Sequence, residues 1–180
     1  MSNQVLLWTM FIVPWLSLFF MKKDDIRRYM PAGLFSSFLL VILQEAGVAN
    51  DWWYFQETIY PLLGVFTPFT ESVDVIIPMW VLKYTYGRFG YYFLIEIAGN
   101  IAFFFLLLPW FADRGIMSWP AYAGIIAFSF STVINLAVYR FHMWQEGVCD
   151  YSKKTEATMV LRPAASKLMP NESENKDDKK

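Results

Sequence analysis

Five polar residues stand inside stretches that are otherwise apolar: Glu71, Asp74, Glu96, Asn100 and Asn135. Glu71 and Asp74 are three residues apart, and Glu96 and Asn100 four, so a helix through either pair places both members on one face. A carboxyl group in apolar surroundings binds a cation, relays a proton or, with a divalent metal, assists chemistry on a lipid phosphate or carbonyl. Holding such a group at the centre of a membrane helix costs ~2.5–3.5 kcal/mol, so it faces the bundle interior or a watered cavity. The bland alternative is packing. Asn100 and Asn135 fit interhelical hydrogen bonds worth roughly 0.6–2 kcal/mol, and Glu96 fits a protonated or interface-seeking side chain. For Glu71 and Asp74 packing gives no reason for two acids between Pro68 and Pro78, and function is the better reading.

Other chemistry is sparse. The chain has 1 Cys and 1 His, Cys149 and His142, which removes an internal disulfide, a cysteine metal cluster and most nucleophile–base pairs. These two lie just past the last apolar run and read as interfacial. No G-x-S-x-G elbow, H-E-x-x-H helix or P-loop occurs. A net charge of −1 excludes a nucleic-acid partner, which calls for a basic face. A carboxylate-only Mg²⁺ site would support lipid chemistry, but paired aspartates on a phosphate-facing loop are missing, so no metal and no cofactor is assigned. The sequon Asn171-Glu172-Ser173 falls in a segment expected on the cytoplasmic side, where it is silent.

The elements that position these residues follow from hydropathy. Hydrophobic residues make up 56% of the 180 and aromatics 19%, against roughly 45–50% apolar in soluble domains. Polar residues concentrate in 150–180, which reads as a disordered charged cytoplasmic tail behind a membrane bundle over 1–149. About 20 apolar residues cross a bilayer. Candidate spans are 5–21, 31–48, 60–82, 91–111 and 119–139. Pro14 kinks the first, and Pro31 opens the second. Trp52, Trp53 and Tyr54 after the second, and Tyr84, Tyr86, Tyr91 and Tyr92 around the third loop, read as aromatic belts at the headgroups. The third span is the weakest, interrupted by Glu71, Asp74, Pro61, Pro68 and Pro78. Ala123, Ala127, Ser131 and Asn135 form a strip of mostly small residues along the fifth.

Charge counting supports the third crossing. With five spans and the N-terminus outside, every Lys and Arg except Arg114 falls on the cytoplasmic side. Without it Lys83, Arg88 and the tail would all lie outside. In this topology Asp74 lies level with Asn100, and Glu96 with Asn135, which predicts one polar cluster in the cytoplasmic half.

The runs Pro14-Trp15 with Phe19-Phe20, Ile26-Arg27-Arg28-Tyr29-Met30-Pro31, and Glu45 with Asp51-Trp52-Trp53 resemble a family of small multi-pass membrane proteins from spore-forming Gram-positive bacteria. The resemblance covers roughly residues 1–145 and not the tail. It implies a bacterial plasma membrane; the family has no assigned activity and carries over no catalytic residues. The expected function is a small transporter or permeation component using buried carboxylates, with the lipid bilayer and a second copy or larger membrane protein as partners. The rivals are a membrane-embedded lipid-modifying enzyme with a carboxylate metal site and a structural or regulatory protein.

Overall fold

A computed structural model describes residues 3–59 and 68–166. Its elements are helix α1 (Asn3–Ser17), a 3₁₀ turn (Leu18–Phe20), helix α2 (Lys23–Ala49), strand β1 (Tyr54–Phe55), a wide π turn (Phe69–Val73), and helices α3 (Asp74–Thr85) and α4 (Phe89–Ala102). A second π turn (Phe103–Leu107) leads into α5 (Leu108–Asp113), strand β2 (Met117–Ser118) and α6 (Ala121–Ser166). β1 and β2 pair antiparallel, Tyr54 with Ser118 and Phe55 with Met117. Contacts divide the chain into Met1–His142 and Met143–Lys180; the site described below lies wholly within the first.

Among the described residues, four helical stretches are long and apolar enough to cross a membrane: Asn3–Phe20, Lys23–Ala49, Phe89–Asp113 and Tyr122–Gly147. The shortest, at 18 residues, extends about 27 Å at ~1.5 Å per residue, close to the ~30 Å hydrocarbon thickness. The expected third span is not among them. Its first part, 60–67, lies outside the described residues, and the remainder is the π turn and the 12 residues of α3.

The side-chain distribution is inverted relative to a soluble domain. Phe19 is 86% exposed, Ile125 73% and Phe105 71%, while small residues such as Ala32, Gly33, Ser36, Ala123 and Ala127 are buried. On α1 the exposed Val5, Trp8, Ile12 and Leu16 recur at helical spacing on one face. Apolar shells of this extent signal contact with something other than water.

α2 begins before Pro31, the expected start. Asp24 and Asp25 occupy its first turn, where carboxylates favour the positive end of the helix dipole, so charges that read as a loop instead extend the helix. Its other end closes with the Trp52 N–H on the Gly47 carbonyl (2.8 Å) and the Asp51 N–H on that of Val48 (3.2 Å). Asp51 takes the left-handed conformation (φ 58°) usual for glycine at this cap. α2 and α3 meet closely through Gly33, where an added Cβ would strike the Val75 carbonyl and stand 3.1 Å from Met79 Cγ.

One end of the first unit gathers Lys83, 3.1 Å from the Asp25 carboxylate, with Arg28 over the Tyr86 ring and His142 between the rings of Tyr29 and Tyr86. The opposite end holds the β1–β2 clip and Asn3, which donates to Glu57 (2.8 Å) and to the Arg114 carbonyl (3.1 Å). α3 lies along α1. Ser72 donates to the Phe11 carbonyl (2.6 Å) and Trp80 to the Ser17 hydroxyl (3.1 Å).

In the second unit α6 is helical to Ser166, so the segment expected as a disordered tail is helical over 150–166, and 167–180 lies outside the described residues. A lack of hydrophobic periodicity argues against burial, not against helix. Lys153, Lys154, Glu156, Ala157, Met159 and Leu161 all favour helix.

Candidate functional site: a carboxylate-bearing cavity

Within the first unit a cavity of about 310 Å³ is bordered by α2, α3, α4 and α6, the clip, and both π turns. Asp74, Glu96, Asn100 and Asn135 line it, as do Ser36, Gln44, Trp53 and Ser131. Most of the remaining wall is apolar or aromatic, including Phe55, Phe103, Phe104, Met117 and Trp119.

Glu71 does not line it. The expectation that Glu71 and Asp74 share a face rests on α-helical geometry, and Glu71 lies instead in the π turn. A π turn closes i to i+5 hydrogen bonds, so each residue advances through a smaller angle and residues three apart swing away from a common face. Glu71 is half-buried in the segment that packs along α1.

The asparagines differ. Asn100 accepts a hydrogen bond from Ser131 through its Oδ1 (3.0 Å), so half of its amide acts as the interhelical link foreseen for it. Its Nδ2 is buried without a partner. Asn135 lines the cavity, and its backbone carbonyl accepts from the Tyr92 hydroxyl (2.8 Å). These two bonds register α4 against α6, and Glu96, midway between Tyr92 and Asn100, falls at the level between Ser131 and Asn135. Glu96 and Asp74 line the same cavity. One Glu96 oxygen is buried without a partner. Burying such an atom unpaired costs about 1–3 kcal/mol, more when charged, and a bound group that supplies the missing bond recovers it.

Trp53 was expected in an interfacial belt and is instead 5% exposed. It packs with Ala123 and Ala127 and over Gly47, where an added Cβ would run into its indole ring. Its Nε1 is buried without a partner. The small-residue strip of α6 therefore admits this ring at Ala123 and Ala127 and forms cavity wall at Ser131 and Asn135. A glycine in the last turn of α2, six residues before Trp53, is the signal that would have located it. Tyr92, also expected in a belt, is 1% exposed. His142, read as interfacial, is equally buried; the rings around it are joined by the cation–π contact of Arg28.

Among the described residues no group of three His, Cys, Asp or Glu side chains is placed to hold a metal ion. The lining includes no Lys, Arg or His among those residues. The chain matches no protein-family profile, no curated protein and no solved structure.

Proposed function

We propose that this chain is an integral plasma-membrane protein of five spans, N-terminus outside and C-terminus cytoplasmic, acting as a small transporter or permeation component for a proton or other cation. The observation that carries the proposal is the cavity: two carboxyl groups, Asp74 and Glu96, on an otherwise uncharged and mostly apolar wall with no basic lining residue among those described. A cavity so lined lowers the energy of a positive charge and raises that of a negative one. The third crossing, additional to the four long helices, is the segment ending in α3. Its Lys83 meets Asp25 at the end opposite the clip, which agrees with the charge distribution of the loops. The resemblance to bacterial membrane proteins supports the same compartment. Five spans are few for a transporter acting alone, so a second copy or a larger membrane partner completes the functional unit.

Reconstitution in liposomes loaded with a pH- or sodium-sensitive dye tests this. Flux down an imposed gradient is expected for the wild-type protein and is reduced at least about tenfold in Asp74→Asn and Glu96→Gln, each removing a charged interaction of about 1.5–3 kcal/mol. Equal flux in dye-loaded liposomes with and without the protein would reject the reading.

A further inference from the structure

The cavity changes character along its length, and α6 measures the change. Ala127 packs with Trp53, Ser131 one turn on bonds Asn100, and Asn135 a turn further lies beside Tyr92. From Ala127 to Asn135 is about 12 Å at ~1.5 Å per residue. At the Ala127 end the walls are aromatic, with Trp119 stacked parallel to Phe104 at 6.4 Å and Trp53 and Phe55 packed nearby. Towards Asn135 stand Glu96 and Asp74.

The exposed members of the lining are Ile77 on α3, Gly99 on α4 and Leu107 at the end of the second π turn. Ile77 is 50% exposed and Leu107 38%, and a Cβ added to Gly99 would meet nothing within 4 Å. All three sit within helical stretches, not at the bundle ends, so the mouth opens sideways and its rim is apolar. Three of the lining residues carry a buried atom without a partner: Trp53 Nε1, Asn100 Nδ2 and Glu96 Oε1. Trp53 as a whole is nine-tenths buried.

Each feature constrains an occupant. Two carboxyl groups on a wall with no basic residue among those described call for an N–H donor with positive charge. Aromatic walls call for an apolar body and favour a cation over their faces. Among the described residues no three His, Cys, Asp or Glu side chains converge to hold a metal ion, so an organic cation fits this wall better. The volume is at the small end of the range for small-molecule sites.

We propose that the cavity binds an amphiphilic organic ammonium, a primary or secondary amine on a compact aromatic or alkyl body. The molecule enters from the bilayer between Ile77, Gly99 and Leu107, with its ammonium towards Glu96 and Asp74 and its apolar end against Trp53 and Trp119. The inference rests on the reading of the bundle as membrane-embedded and its carboxylates as cation-facing.

Isothermal titration calorimetry on the full chain in lipid nanodiscs tests it, with tyramine as the probe and para-hydroxyphenylpropionate as its anionic counterpart of similar shape. Saturable binding of tyramine and none of the anion is expected. Glu96→Gln weakens tyramine at least about tenfold, the loss of one charge-assisted hydrogen bond. Where Glu96→Gln does not run as folded protein on gel filtration, Asp74→Asn takes its place with the same expectation. Equal binding of the anion, no binding of tyramine, or unchanged affinity in the carboxamide variant overturns the proposal. The liposome flux assay separates the two readings. Tyramine binding without proton or sodium flux upholds the site and rejects permeation; Asp74-dependent flux without tyramine binding does the reverse.

Discussion

Trp53 shows how much of the site depends on one side chain outside the carboxylates. Its ring fills the space that Gly47, Ala123 and Ala127 leave by being small. Trp53→Ala therefore costs roughly 3–5 kcal/mol, and Trp53→Phe distinctly less. Gly47→Ala, which drives a methyl into the same ring, costs about 1–3 kcal/mol and moves tryptophan emission to the red as the indole meets water. Thermal unfolding in detergent together with fluorescence checks all three. Its neighbour Tyr54 supplies a pH-dependent counterpart away from the apolar spans. The Tyr54 hydroxyl donates to Asp51 (2.5 Å), and that bond, with partial burial and the Asp51 charge, holds the phenol protonated above its usual range. A group whose pKa is raised by folding stabilises the fold below its unfolded pKa and loses that contribution as pH rises through the folded one. The Tyr54 contribution is thus present at neutral pH and lost only on alkaline titration. Near-ultraviolet titration, with Tyr54→Phe as the difference reference, should give a midpoint above 10, the ordinary tyrosine value, and Asp51→Asn should lower it.

At the scale of elements, the two π turns explain why the polar cluster was only partly legible. Hydropathy located the four long helices because lipid-length apolar runs leave few alternatives. The one-face rule brought Glu96 and Asn100 to the same cavity because α4 is regular there. It did not bring Glu71, since nothing in the residue types of Phe69–Val73 announces a wider turn. Glu71→Gln is expected to leave liposome flux within about twofold of wild type, while Asp74→Asn reduces it at least about tenfold. Equal loss in both would restore Glu71 to the site and reject the role given to the π turn. The start of α2 was hidden for another reason, because Lys23, Asp24 and Asp25 read as loop by charge although the two aspartates favour a helix N-terminus. The crossing of α2 and α3 was hidden too, since Gly33 is silent until Val75 is placed against it. Gly33→Ala should cost about 1–3 kcal/mol by overpacking, read as a lower unfolding temperature with unchanged helical circular dichroism.

For the whole molecule, the account stands on a segment that neither length nor hydropathy alone assigns to the membrane. The ends of the first unit are chemically distinct, with Asp25, Arg28, Lys83 and Tyr86 at one and Asn3, Glu57, Arg114 and the β1–β2 clip at the other. If the segment ending in α3 crosses the bilayer, these two ends face opposite compartments and the carboxylates of the cavity lie between them. Single-cysteine labelling in intact bacterial cells measures this directly. In a Cys149→Ser background, Glu57→Cys and Arg88→Cys are challenged with a membrane-impermeant maleimide before and after lysis. The account predicts that position 57 labels in intact cells and position 88 only after lysis. Labelling of both positions in intact cells would place them on one face, remove the third crossing, and contradict the account.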